Sequence, residues 1–182
     1  MKTVNDLGVI ELSGTVVVSD PCYDRDVWCM QTGILIKPGR YKAMAVCSDE
    51  EELGTRVANL ILVHEDYQMD SKEDWVSLCT SIGVDSGQCG IFDDSVYPQS
   101  KDHPDRDPFY DECCNITLSR QSAGILCNGK GVVSCSGYGD GEYELFAKIR
   151  DGQHVALMLD YNLLKMKRVM QMLVDKQRKE AE

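Results

Sequence analysis

The sequence predicts an all-β domain, a sandwich or partly open barrel of about eight short, mostly antiparallel strands, followed by a C-terminal amphipathic helix. Three observations carry this expectation. Short β-branched or alternating runs recur along the first 161 residues with turn signals between them. Asn128-Gly129 and Asp151-Gly152 are dipeptides that tolerate the positive φ angles of tight hairpin turns. The chain also lacks the strand-helix alternation that a parallel sheet requires. A chain of 182 residues is long enough for one well-filled core, so a single β-rich domain over 1–161 is expected, with the helix at 162–182.

Taken in order, residues 8 to 19 read as a strand with a bend at Ser13-Gly14, and Thr15-Val16-Val17-Val18 is β-branched throughout. Asp20-Pro21 stops it. Residues 22 to 33 carry no clean period. Ile34-Leu35-Ile36 then leads into Lys37-Pro38-Gly39-Arg40, whose Pro and Gly suit a type II turn, and a hairpin returning along Tyr41 to Cys47 is expected. The acidic run Asp49-Glu50-Glu51-Glu52 reads as a solvated loop or a short helical turn.

Strands follow at 55–64 and 75–84 around a polar loop, then at Gly90 to Asp93, before a surface loop rich in Pro and Asp at 97–108. Residues 109–118 fit a short helix or a strand entry equally. The remaining strands are 123–127, 131–136, 142–150 and 154–161, and in the last of them Val155, Leu157 and Leu159 mark a core face. Between two of these, Gly137-Tyr138-Gly139-Asp140-Gly141 reads as a hairpin apex. Beyond residue 161, Leu163, Met166, Val169, Met170 and Leu173 recur at helical spacing, opposite a face of Lys, Arg and Gln. This helix holds six of the 19 basic residues and three of the 30 acidic ones, which leaves it at +3 on an acidic body. It either docks on the domain or joins two copies into a homo-oligomer.

Charge excludes one class of function. A net charge of -11 repels a phosphate backbone, so general nucleic-acid binding is not expected. No apolar run approaches the roughly 18 residues of a membrane span, and the N-terminal residues lack the pattern of a secretory signal. A cytoplasmic protein is expected, with its nine cysteines reduced, because their number is odd and no export route is visible. Cys47, Cys79, Cys127 and Cys135 lie in apolar runs and are expected to pack as small hydrophobes. Cys22 is the thiol best placed for reactivity, but no histidine lies near it in sequence. Paired Cys knuckles, a His-Glu-x-x-His helix, a phosphate-binding P-loop and a Gly-x-Ser-x-Gly elbow are all missing.

Three acidic, glycine-bearing segments at strand ends remain as candidate sites. The first contributes Asp20, Cys22 and Tyr23, the second Asp85, Ser86 and Asp93, and the third Ser136, Tyr138 and Asp140. Glycines there let the backbone approach a ligand closely. Carboxylates brought together could hold a divalent cation, the one cofactor the residues suggest, or could divide acid and base roles. The competing reading makes Asp85 a turn cap and Asp140 a turn apex. Arg25, Arg40 and Arg56 are the cations that an anionic ligand would find near these segments.

The motifs Ser19-Asp20-Pro21-Cys22-Tyr23, Gly83-Val84-Asp85-Ser86-Gly87 with Gly90-Ile91-Phe92-Asp93, Phe109-Tyr110-Asp111 with Cys113-Cys114, and Ser136-Gly137-Tyr138-Gly139-Asp140-Gly141 resemble a group of small β-rich proteins of bacteria, especially Firmicutes, and of their phages. They are similar also to a broader bacterial domain of unknown function with a G-V-D-A-G segment. The resemblance spans residues 12 to 161, whereas Gln88-Cys89-Gly90 and the C-terminal helix are less typical of it. It implies a bacterial or phage source and a β-rich fold, and it carries no activity.

Two functions are therefore expected to compete. The first is a non-enzymatic binding module whose strand-end loops take a small ligand or a host protein, in a phage setting as a counter-defence factor. The second is a small metal- or carboxylate-dependent hydrolase or lyase. Binding is favoured, because the aspartates lack the His, Lys or Cys partner with which acid-base schemes pair a carboxylate.

Overall fold

The computed structural model describes residues 2–70, 74–100, 102–164 and 166–181. Among them are eleven strands in two antiparallel sheets and two α-helices, so the β class and the C-terminal helix stand, with more strands than expected and no closed barrel. The strands are β1 (Lys2–Leu12), β2 (Thr15–Ser19), β3 (Gln31–Leu35), β4 (Gly39–Asp49), β5 (Thr55–His64), β6 (Val76–Val84), β7 (Gln88–Asp93), β8 (Ala123–Leu126), β9 (Gly131–Cys135), β10 (Gly141–Arg150) and β11 (Gln153–Asp160). One sheet runs β1-β4-β5-β11-β10-β6 and the other β3-β2-β7-β9-β8.

Alternation along the strands builds four layers. In β4, Tyr41, Ala43, Ala45 and Cys47 point between the sheets, where they meet Val16, Val18, Ile91 and Val132 of the opposite sheet in the largest core cluster. Met44 and Val46 of the same strand point outward, under helix α2 (Met166–Ala181), which buries Val169, Leu173 and Val174 against them. Helix α1 (Arg106–Thr117) covers the outer face of the five-stranded sheet and packs Phe109 and Cys113 on Val17, Phe92 and Val133. Residues 109–118, ambiguous in sequence, are thus mostly helical. The apolar face of α2 is used within the chain, as the docking alternative expected; Met166 lies outside the described side chains.

Several turns carry the chain between sheets. The bend at Ser13-Gly14 separates β1 in one sheet from β2 in the other. The Pro38-Gly39 turn was expected to close a hairpin, but β3 pairs with β2 while β4 pairs with β1 and β5. Turn chemistry fixes a local reversal and does not choose the partner, which is set by the surface each strand must bury. The segment 137–141 is likewise no hairpin apex, since β9 and β10 lie in opposite sheets. By contrast, Asn128-Gly129 and Asp151-Gly152 do close the hairpins β8-β9 and β10-β11, with φ of 54 and 84° and of 51 and 76°.

Candidate functional site

The strand directions put six connections at one end of the sandwich, with described residues 20–30, 50–54, 85–87, 118–122, 136–140 and 161–164. All three acidic glycine segments reach this end. The buried Asp20 links the first two: its Oδ1 accepts from the Cys22 N–H at 2.8 Å and the Ser86 hydroxyl at 2.6 Å, and its Oδ2 accepts from the N–H groups of Asp85 and Ser86 at 2.9 and 2.7 Å. The Ser136 N–H donates to the Gly87 carbonyl at 3.0 Å and brings in the third. The Tyr143 hydroxyl then ties the Ser136 and Gly139 carbonyls together at 2.9 and 2.7 Å. The segments therefore meet, and they do so through bonds that the protein makes to itself.

Each expected residue has a definite place. Asp20 and Ser136 are buried, and the Ser136 hydroxyl donates to the Gly139 carbonyl at 2.8 Å. Tyr23 engages the Asp85 carboxylate and the Cys29 thiol, and burial first, then Asp85, pushes its hydroxyl up. Burial, followed by the Asp20 carboxylate, pushes the Cys22 thiol up to about 12, which keeps it protonated near neutral pH. Asp140 and Tyr138 are exposed. Asp93 does not belong to the group: it pairs with Val16 at the far end of β7, about 16 Å away at the usual rise per residue. There it accepts from the N–H groups of Ser13 and Ser95 at 2.5 and 3.1 Å, a strand-end clamp. Among the described residues, no three His, Cys, Asp or Glu side chains are grouped to hold a metal ion, so the expected carboxylates do not form such a centre.

The proposed cations divide in the same way. Arg25, in the 20–30 connection, binds Asp94 at 2.7 Å, Arg40 pairs with Glu65 at the opposite end, and Arg56 lies at the loop end with its guanidinium 5.9 Å over the Tyr138 ring. His64 is buried edge-on against Tyr41.

No family model, curated protein or solved structure matches this chain.

Sequence reasoning missed the apolar side of this end. Leu118 is 86% exposed, Trp28 79%, Leu53 58% and Tyr138 57%, and all four sit in its connections or at their edges. Trp28 lies in the stretch with no period, where lack of alternation was itself a sign that nothing buries it; Leu53 closes the acidic run read as merely solvated. Around them stand the exposed carboxylates of Asp26, Glu51, Glu52, Asp85, Asp140 and Glu142, none of them in an ion pair among the described residues. Two concave regions lie away from these residues. A 470 Å³ cavity is bounded by Tyr97, Phe109 and Asn128, and a 1120 Å³ groove runs beside α2 past Lys42, Tyr67 and Arg150.

Proposed function

We propose that this chain is a non-catalytic binding module that recognises a protein partner through the loop end of the sandwich, in a bacterial or phage setting. The observation that carries this reading is the gathering of Trp28, Leu53, Leu118 and Tyr138, all more than half exposed, at one end of the molecule. Exposed apolar groups mark an interaction surface where they share one face rather than standing singly, as Leu35 does elsewhere, and aromatic anchors dominate interface energetics. Catalysis finds less support: the polar groups of the glycine segments are spent on one another, and the Cys22 thiol is held protonated. A small-ligand reading of the same residues is weaker than a protein one, since Asp20 and Ser136 are buried and the two cavities described lie away from them.

Selection of a random dodecapeptide display library on the wild-type protein tests the reading. The peptides enriched should lose about tenfold or more in affinity for a Trp28→Ala, Tyr138→Ala double variant whose melting temperature is unchanged, the loss typical of removing interface anchors. Enriched peptides that bind both proteins equally would count against the loop end.

A further inference from the structure

Resting on that reading, we infer that the partner presents an extended, Lys/Arg-rich segment to the loop end. The surface is a band. The 20–30 segment is bonded to the 85–87 turn through Asp20, that turn to residues 136–139 through Gly87, and Tyr138 reaches Glu50 at 2.9 Å and the Arg56 side chain beside it. Trp28 therefore belongs to one end of a continuous strip, and Tyr138 and Leu53 to the other.

Between them the strip is low. Gly87 and Gly139 face each other so closely that a Cβ on Gly87 would sit 3.9 Å from the Gly139 Cα, while a Cβ on Gly139 would meet nothing within 4 Å. Side-chain-free backbone of this kind admits the main chain of an extended segment. Along the same strip stand the six exposed carboxylates; of the nearby cations, Arg25 is held by Asp94, Arg106 by the Cys22 carbonyl at 2.6 Å, and Arg56 lies over the Tyr138 ring, which leaves the exposed Arg120 at the α1 edge against six carboxylates.

An exposed aromatic beside exposed carboxylates that no cation pairs is the chemistry that recognises guanidinium and ammonium groups, by ring stacking and by charge-assisted hydrogen bonds. The same field disfavours an anionic membrane or a nucleic acid. An acidic or neutral protein surface would gain nothing from the unpaired carboxylates.

The test uses the full chain, the library-selected peptides and two synthetic probes, a repeating Arg-Gly-Lys-Ser dodecapeptide and its Glu-Gly-Asp-Ser counterpart. Selected peptides should carry net positive charge. They and the basic probe should bind about tenfold more weakly on raising salt from about 50 to about 500 mM, where screening shortens the reach of surface charge. A Glu52→Lys, Asp140→Lys double variant should weaken both by a similar factor, and Glu142→Gln by less. Both positions are exposed, and an unchanged melting temperature shows that the fold is kept. Selected peptides of neutral or acidic composition, indifferent to salt and to charge reversal yet lost on the Trp28→Ala, Tyr138→Ala variant, would overturn the inference and leave the protein-binding reading standing. Binding of the acidic probe as tight as that of the basic one would overturn it too. Peptides indifferent to the aromatic double variant would remove both.

Discussion

The Asp20 carboxylate and Ser86 are joined twice: the Ser86 N–H donates to Asp20 Oδ2 at 2.7 Å and the Ser86 hydroxyl to Oδ1 at 2.6 Å. With the N–H groups of Cys22 and Asp85 also aimed at it, this buried side chain ties the end of β2 to the turn that passes from one sheet to the other. Asp20 therefore holds the loop end in shape and offers little to a ligand.

Replacing Asp20 by Ala leaves three backbone N–H groups and a hydroxyl without their acceptor. The expected loss is about 3 kcal/mol or more, because each stranded buried donor costs on the order of 1 kcal/mol or above. Asn, which keeps one acceptor oxygen, should cost less. Urea denaturation of the two variants checks this, and an Asp20→Ala loss below about 1 kcal/mol would mean that water replaces the carboxylate freely.

At the opposite end, burial alone would raise the Asp93 carboxyl, but the hydrogen bonds from Ser13 and Ser95 outweigh it and hold it below the ordinary value of 3.8. A carboxyl lowered on folding stabilises the protein fully above its unfolded pKa, and that stabilisation is lost as pH falls through the folded value. The stability gap between wild type and Asp93→Asn should therefore be widest near neutral pH and close below about pH 4. Chemical denaturation across that range gives the answer; a gap independent of pH would show that the hydrogen bonds do not depend on the ionised form.

Gly90 sits where β7 crosses the Phe92 ring and the Val132 carbonyl. A Cβ there would lie 2.3 Å from the ring and 2.6 Å from the carbonyl oxygen. Backbone cannot yield as a flexible side chain does, so Gly90→Ala should cost about 3 kcal/mol or abolish folding, at the upper end of overpacking penalties. A soluble variant with an unchanged melting temperature would contradict this packing.

The docking of α2 makes a separate prediction. Leu173 and Val169 are buried against Met158 and Ile61, so Leu173→Ala should cost about 2 to 5 kcal/mol, as for other large-to-small core changes. Had the helix instead joined two copies, light scattering would register a fall in mass with little loss of melting temperature.

What could be read from the chain was whatever is decided locally. Asn128-Gly129 and Asp151-Gly152 announced their hairpins because the positive φ angles are a property of those few residues. The Ser13-Gly14 bend was legible for the same reason, but its role as a corner between sheets was not, since that depends on β1 and β2 finding different partners. Pro38-Gly39 failed on the same ground. At the loop end, the acidic glycine segments do meet, and their recurrence reflects mutual bonding among Asp20, Ser86, Gly87 and Ser136. Trp28 and Leu53 escaped notice because exposure of a large side chain is decided by which neighbours fail to cover it, and sequence distance says nothing of that.

The most direct test of the loop-end account is an amide chemical-shift map of the full chain titrated with the selected peptides. Shifts should cluster in residues 22–29, 50–56, 85–87, 118–122 and 136–142, with the Trp28 indole N–H moving in step, and they should disappear for the Trp28→Ala, Tyr138→Ala variant. Shifts gathered instead along the groove beside α2, at Lys42, Tyr67, Met69 and Arg150, would contradict the account and move recognition to the outer face of the six-stranded sheet.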